Sequence, residues 1–224
     1  IVGRMDLGYL TACETASCTV ASENGSYTGG IAGLTGATVH GSFAKCTLSG
    51  KKYVGGIVGS GSEDTSSSAG SGCTVTDCRS LVVVEDCDQF SGAISGRDLG
   101  VFRGNYFVSD VLRGIDRRSL SGQAEPMDYA AFCALGSVPE DFLSFTLRFV
   151  CDGRTLKTLR FDYGDSFDFS IFPSLTEQSG SYPVWDRTDL TDLRFDTVVT
   201  AEYTAYRASL QSDAQRADGR SVFF

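Results

Sequence analysis

Long apolar runs, basic clusters, proline and histidine are what this sequence lacks. No stretch of about 18 apolar residues occurs, so no segment reads as a membrane-spanning helix. Lysine and arginine never cluster beyond the pairs Lys51-Lys52 and Arg117-Arg118, and 19 of them face 28 acidic residues, for a net charge of -9. A surface of that sign repels phosphate backbones, which argues against nucleic acid as a partner. With a single histidine, His40, any imidazole chemistry has one residue to use. No Gly-x-Ser-x-Gly elbow accompanies it, and satisfied corner or surface roles are the expectation.

What the chain has in quantity is glycine, 26 residues, and cysteine, 8 residues, in a length of 224 that supports two self-standing domains. Charge is uneven: residues 1–118 carry 10 basic and 12 acidic groups, 119–206 carry 6 and 14, and 207–224 carry 3 and 2. That shift marks a compositional boundary near residue 120.

The glycines are not scattered. The element aromatic-x-Gly-[Gly/Ala]-Ile-x-Gly occurs as "YTGGIAG" (27–33), "YVGGIVG" (53–59) and "FSGAISG" (90–96), and the opening "IVG" is its shortened copy. The isoleucines Ile1, Ile31, Ile57 and Ile94 lie 30, 26 and 37 residues apart, a period typical of repeat architectures. The longest interval holds "EDTSSSAGSG" (63–72), which reads as an inserted surface loop. Leu10, Val39 and Val75 occupy one equivalent position and Val20, Leu48 and Val84 another. With the isoleucines, these define three apolar columns and predict three short strands per repeat of a parallel β-solenoid. The repeat glycines Gly29, Gly30, Gly33, Gly55, Gly56, Gly59, Gly92 and Gly96 are expected at its corners, supplying φ > 0 and close backbone approach.

Residues 101–126 break the period and are expected to cover the open end of the stack. "DYAAFCALG" (128–136) predicts a short helix capped by Asp128 and ended by Gly136. From Phe145 the apolar period becomes two. "FTLRFV", the turn pair Asp152-Gly153 and "TLKTLRFDY" predict a β-hairpin, and Val199, Ala201 and Tyr203 alternate with polar residues in a later strand. Both ends read as cut from a longer protein, the N-terminus because it opens on half a repeat element.

The glycine element and its spacing resemble the GLUG repeat of bacterial cell-surface proteins, whose consensus lies close to aromatic-x-Gly-Gly-[Leu/Ile]-Val-Gly. "GNYFVSD" and "SGQAEPMDYAAF" are similar to segments that follow such repeats in secreted proteins of Gram-positive gut bacteria. In that family a cysteine commonly sits three residues after the column valine; Cys13 and Cys78 hold the place and Ser42 departs from it. Residues 145–206 resemble the β-grasp-like repeats of adhesins, related to mucin-binding and internalin B-repeat modules, through "FTLRFVCDGRTLKTLRFDYGDSF", Trp185 in "PVWD" and "VTAEYTAY". The adhesin pattern Gly-Tyr-x-Phe-x-Gly-Trp is replaced here by "GSYPVWD". Together the resemblances imply an all-β protein: a right-handed solenoid with its cap at 1–118, a connector with one helix at 119–144, a β-grasp-like domain at 145–206 and a cut tail at 207–224. They imply no catalytic centre and no cofactor.

No element is followed by the lysine of a phosphate-binding loop or set between strand and helix as a dinucleotide loop. "SFAK" (42–45) matches Ser-x-x-Lys of penicillin-recognising enzymes without their companion motifs. Cys13/Cys18 and Cys73/Cys78 have loosely zinc-like spacing, although strand geometry sends residues five apart to opposite faces. Buried thiols are the expectation, with a disulfide between Cys18 and Cys46 as the alternative that stacked strands would allow. Calcium candidates are Glu85, Asp86 and Asp88, with Asp186, Asp189 and Asp192 a second acidic group. The function expected is non-catalytic adhesion or display at the cell surface by a monomeric fragment, its contact a host glycan, mucin or surface protein. The alternative is a carbohydrate-active β-helix lyase or hydrolase using the acidic groups of 85–88.

Overall fold

Short runs of β-branched and aliphatic residues, each too short to bury a face alone, pair with their equivalents one repeat further along. The computed structural model describes residues 1–63 and 72–206. The insertion at 63–72, apart from its end residues, and the tail at 207–224 lie outside the described residues. The chain is mostly β, with 57% of it in strands and 6% helical, and divides into two compact units, Ile1–Phe145 and Thr146–Phe224.

In the first unit the chain visits three parallel sheets in rotation. Its first pass supplies Val2–Met5, Tyr9–Thr11 and Glu14–Gly29, and its second Ala32–Thr35, Thr38–His40 and Phe43–Gly55. The third supplies Val58–Gly61, Cys73–Thr76 and the pieces Arg79–Ser80, Val83–Asp86 and Gln89–Gly92. Register follows the apolar columns: Leu10 pairs with Val39, Val39 with Val75 and Val75 with Phe102. Val20 pairs with Leu48, and Leu48 with Val84. The Ile31 N–H donates to the Ile57 carbonyl at 3.0 Å and the Ile57 N–H to the Ile94 carbonyl at 2.9 Å, and all three side chains are fully buried. The opening "IVG" takes the same place, because Val2 pairs with Ala32.

Residues 101–126 do not break the pattern as expected. Gly100–Arg103 pairs in parallel with Cys73–Thr76, Asn105–Phe107 with Arg79–Ser80, and Ala124–Pro126 with Asn105–Phe107, while Ile115 bridges to Ser95. The pass is hard to see in the sequence because only Gly114-Ile115 stands in place of the glycine element and Phe102 in place of the column valine. Asn105 is buried and ties three passes: its side-chain amide donates to the Val75 and Gln123 carbonyls, both at 2.9 Å, and accepts the Cys78 N–H at 3.0 Å.

Corners carry a further correction. None of the eight repeat glycines has positive φ; the left-handed residues at one corner are Ala12, Gly41, Asp77 and Gly104, with φ of 51°, 57°, 55° and 62°. Each donates its N–H across to the following pass at 3.0 Å, and only two of the four are glycine, so composition alone did not reveal the column.

The helix is shorter than the expected 128–136, running Tyr129–Cys133, with Asp128 accepting the Ala131 N–H at 2.8 Å. Phe132 of this helix stacks on Phe142 of the 3-10 turn Glu140–Phe142, and Phe142 packs edge-on against Phe43 of the second pass. Burial of these rings fixes the connector to the first unit.

In the second unit a mixed sheet runs in the order Arg154–Phe161, Phe145–Cys151, Thr197–Ala205, Ser181–Trp185. Asp152 and Gly153 both have positive φ, 49° and 72°, as a two-residue hairpin turn of the right twist requires. Leu147, Phe149, Val199 and Ala201 face inward, and Phe149 packs edge-on against Phe172 and Trp185 with ring centroids 4.9 and 5.6 Å away. Asp165–Phe167 and Leu190–Leu193 form a separate antiparallel pair.

Candidate functional site

The glycine elements are places where backbone packs on backbone. A methyl group on Gly59 would lie 2.6 Å from the Gly33 carbonyl oxygen and 2.7 Å from the Tyr27 carbonyl carbon; on Gly96 it would lie 2.5 Å from the Tyr53 carbonyl carbon. Gly30 and Gly56 are hemmed in the same way by Gly56 and Ala93 of the pass that follows each, and Gly29, Gly33, Gly55 and Gly92 also lie against backbone carbonyls. Their N–H groups are committed: Gly30 donates to Gly56 at 3.1 Å and Gly56 to Gly92 at 3.0 Å. A phosphate cradle needs free N–H groups converging on open space; these converge on protein.

What the elements do place at the surface is their aromatic residue. Tyr27, Tyr53 and Phe90, each four residues before a column isoleucine, all adopt left-handed backbone, with φ of 71°, 57° and 60°. Such a conformation is an outlier for bulky side chains and costs about 1–3 kcal/mol at each position. The rings stack in a half-exposed ladder, Tyr27 on Tyr53 and Tyr53 on Phe90, both with centroids 5.2 Å apart and planes within 18° of parallel. Lys52 sets its ammonium 4.7 Å from the Tyr53 centroid and 5.5 Å from that of Phe90. The Arg97 guanidinium lies 5.2 Å from Tyr53 and bonds Glu63, which raises its pKa. Stacking and cation–π attraction, each worth about 1 kcal/mol, offset the strain. Their fixed offset of four residues from the isoleucine is the signal in the sequence that marks them.

Replacing Tyr53 separates the two contributions. Tyr53→Ala loses both stacks and keeps the strain, whereas Tyr53→Gly loses the stacks and relieves it. Glycine is therefore expected to be more stable than alanine here by about 1 kcal/mol, the reverse of their order in most positions, as read from urea midpoints.

The remaining candidates are dispersed. Glu85, Asp86 and Asp88 are exposed, and among the described residues no group of three or more His, Cys, Asp or Glu side chains comes together to hold a metal. Asp186 and Asp189 are used locally, accepting the N–H groups of Thr200 and Thr191, and Asp192 pairs with Arg194. His40 Nδ1 lies 2.9 Å from the Thr76 hydroxyl and 3.5 Å from an Asp77 carboxylate oxygen on an exposed corner. Ser42 and Lys45 are not partners: Ser42 donates to the His40 carbonyl, while Lys45 donates to the Asp141 and Ser144 carbonyls.

All eight cysteines are free thiols. Burial pushes Cys73 up to about 12 and Cys78 up to about 11, so both are inert hydrophobes near neutrality. Their thiols serve different carbonyls, Cys73 donating to Leu99 and Cys78 to Thr76, so this zinc-like pair does not converge.

Among the described residues, two of the open hollows have room for a small ligand. One, of about 270 Å³, lies beside Tyr27 at the first pass and includes Val2, Val20 and Ser22 in its lining. The other, of about 450 Å³ in the second unit, is lined by Cys151, Asp152, Arg154, Leu156, Leu175 and Tyr203.

No family model, curated protein or solved structure matches the chain. The site described is a half-exposed ladder of rings, flanked by Lys52 and Arg97, on a repeating frame.

Proposed function

We propose that this chain is a non-catalytic part of a secreted bacterial surface protein. In this reading residues 1–126 are a short right-handed parallel β-solenoid of GLUG type that acts as a spacer, and residues 145–206 are a β-grasp-like contact module. The observation that carries it is the glycine element itself, whose N–H groups and missing side chains are consumed by stacking one pass on the next. Right-handedness follows the general rule for parallel crossovers. A frame whose repeats each bury a neighbour's apolar column stiffens with copy number and holds a terminal module away from its anchor.

The contact module offers a host glycan, mucin or surface protein an acidic surface carrying exposed apolar side chains, among them Phe169, Tyr182, Val184 and Val198. Binding of the 224-residue chain to immobilised mucin and to a glycan array tests this. Saturable binding that Val184→Asp or Phe169→Ser weakens at least tenfold is the expected outcome. No binding to mucin, glycans or host cells leaves only the spacer, and calcium-dependent release of unsaturated products from uronic-acid polymers replaces the reading with that of a lyase.

A further inference from the structure

We propose that Cys18 and Cys46 are a disulfide-forming pair that staples the first pass of the long strand to the second. The inference is independent of the surface-display reading. It begins with an irregularity in the longest strand pair. Ala16 pairs with Lys45 but Cys18 pairs with Cys46, so Ser17 is an extra residue on the first strand. Ser17 takes positive φ, 49°. Such a bulge re-aims the side chain that follows it. Without it Ser17 would oppose Cys46, and Cys18 would oppose Thr47 from the other face of the strand. With it Cys18 joins the column of Cys46, one step before Val20 and Leu48 restore the regular two-residue alternation.

Register partners in adjacent parallel strands sit about 4.8 Å apart, inside the Cα range that a disulfide spans. Cys13, Cys73, Cys78 and Cys151 lack this arrangement. At the Cys13 corner Ser42 intervenes in the column before Cys78, Cys73 pairs with Gly100, and Cys151 pairs with Ala201. Exposure is also divided as a two-step exchange requires, since Cys18 is exposed and Cys46 is fully buried.

The oxidant is a small-molecule disulfide such as oxidised glutathione. The Cys18 thiolate attacks one glutathione sulfur, the glutathione S–S bond breaks, and one glutathione thiolate leaves and takes a proton. The Cys46 thiolate then attacks the Cys18 sulfur and expels the second glutathione. Two protein thiols are oxidised by two electrons, and one glutathione disulfide becomes two thiols. Burial pushes the Cys46 thiol up, to about 12 in the reduced protein. The closing step is therefore slow near neutrality and speeds up about tenfold per pH unit on the way to that value.

The test incubates the native 224-residue chain with oxidised glutathione, quenches it in acid, unfolds it, counts thiols and maps the linked peptides. Two of the eight thiols are expected to disappear, joined as Cys18–Cys46, and closure from a preformed Cys18 mixed disulfide should accelerate tenfold per pH unit between about pH 7 and 9. Cys18→Ser should form no protein disulfide, while Cys13→Ser should form it at the normal rate; both sites are accessible, so neither arm depends on replacing buried Cys46. A crosslink between another pair, or a lasting glutathione adduct on Cys18 with Cys46 still free, overturns the proposal.

Discussion

Gly59→Ala is expected to destabilise the first unit by about 3 kcal/mol or more, while Gly3→Ala, at the equivalent position of the opening element, changes stability by less than about 0.5 kcal/mol. The difference is steric. A methyl at Gly59 meets three backbone atoms within 2.9 Å, from Gly33, Tyr27 and Thr28, none of which can swing aside as a flexible side chain would. Accommodating it means spreading two hydrogen-bonded passes. At Gly3 nothing lies within 4 Å of the added carbon. Neither glycine has positive φ, so backbone conformational preference contributes little to the contrast. Urea denaturation of the two variants with a common m-value measures it directly.

Lys45 carries the second large effect. Its side chain is almost wholly buried, its ammonium donates to the Asp141 and Ser144 carbonyls at 2.9 and 2.7 Å, and it lies 4.4 Å from the Phe145 ring centroid. Replacing a buried ion with an apolar residue is sometimes neutral, because desolvation of the charge is recovered. Here the carbonyls decide the sign, since removing the ammonium strips both of a charge-assisted bond. Lys45→Met is expected to cost about 3 kcal/mol and Lys45→Ala about 4 kcal/mol, the second adding a cavity. Lys51→Ala, on an exposed neighbour of the same strand, should cost less than about 0.5 kcal/mol. Faster amide exchange across residues 137–145 in Lys45→Met, with the isoleucine ladder unchanged, would locate the loss at the connector.

The parts of the fold legible in the sequence were those with a period. Isoleucine spacing and the two aliphatic columns mark the strands that pair, because a buried position stacked on its equivalent admits few residue types. The Asp152-Gly153 hairpin was legible for a local reason, since its turn needs two left-handed residues in a row. The corner column Ala12, Gly41, Asp77 and Gly104 was not, because tertiary hydrogen bonds hold alanine and aspartate in a conformation that composition assigns to glycine. The same tertiary override explains the strained aromatics of the ladder. Ser17 was invisible for another reason: a one-residue bulge changes register without changing composition. The passes through Phe102, Asn105 and Ile115 were missed because packing at the end of the stack tolerates larger and more polar residues than the repeat.

The most direct measurement of the central claim, that successive glycine elements stack in parallel one repeat apart, is the pattern of cross-strand NOEs in the labelled chain. The account predicts parallel-type contacts joining Ile31 to Ile57, Ile57 to Ile94 and Leu10 to Val39, each one full repeat apart in sequence. Antiparallel contacts between strands adjacent in sequence, such as Tyr9–Thr11 with Glu14–Gly29, would contradict it.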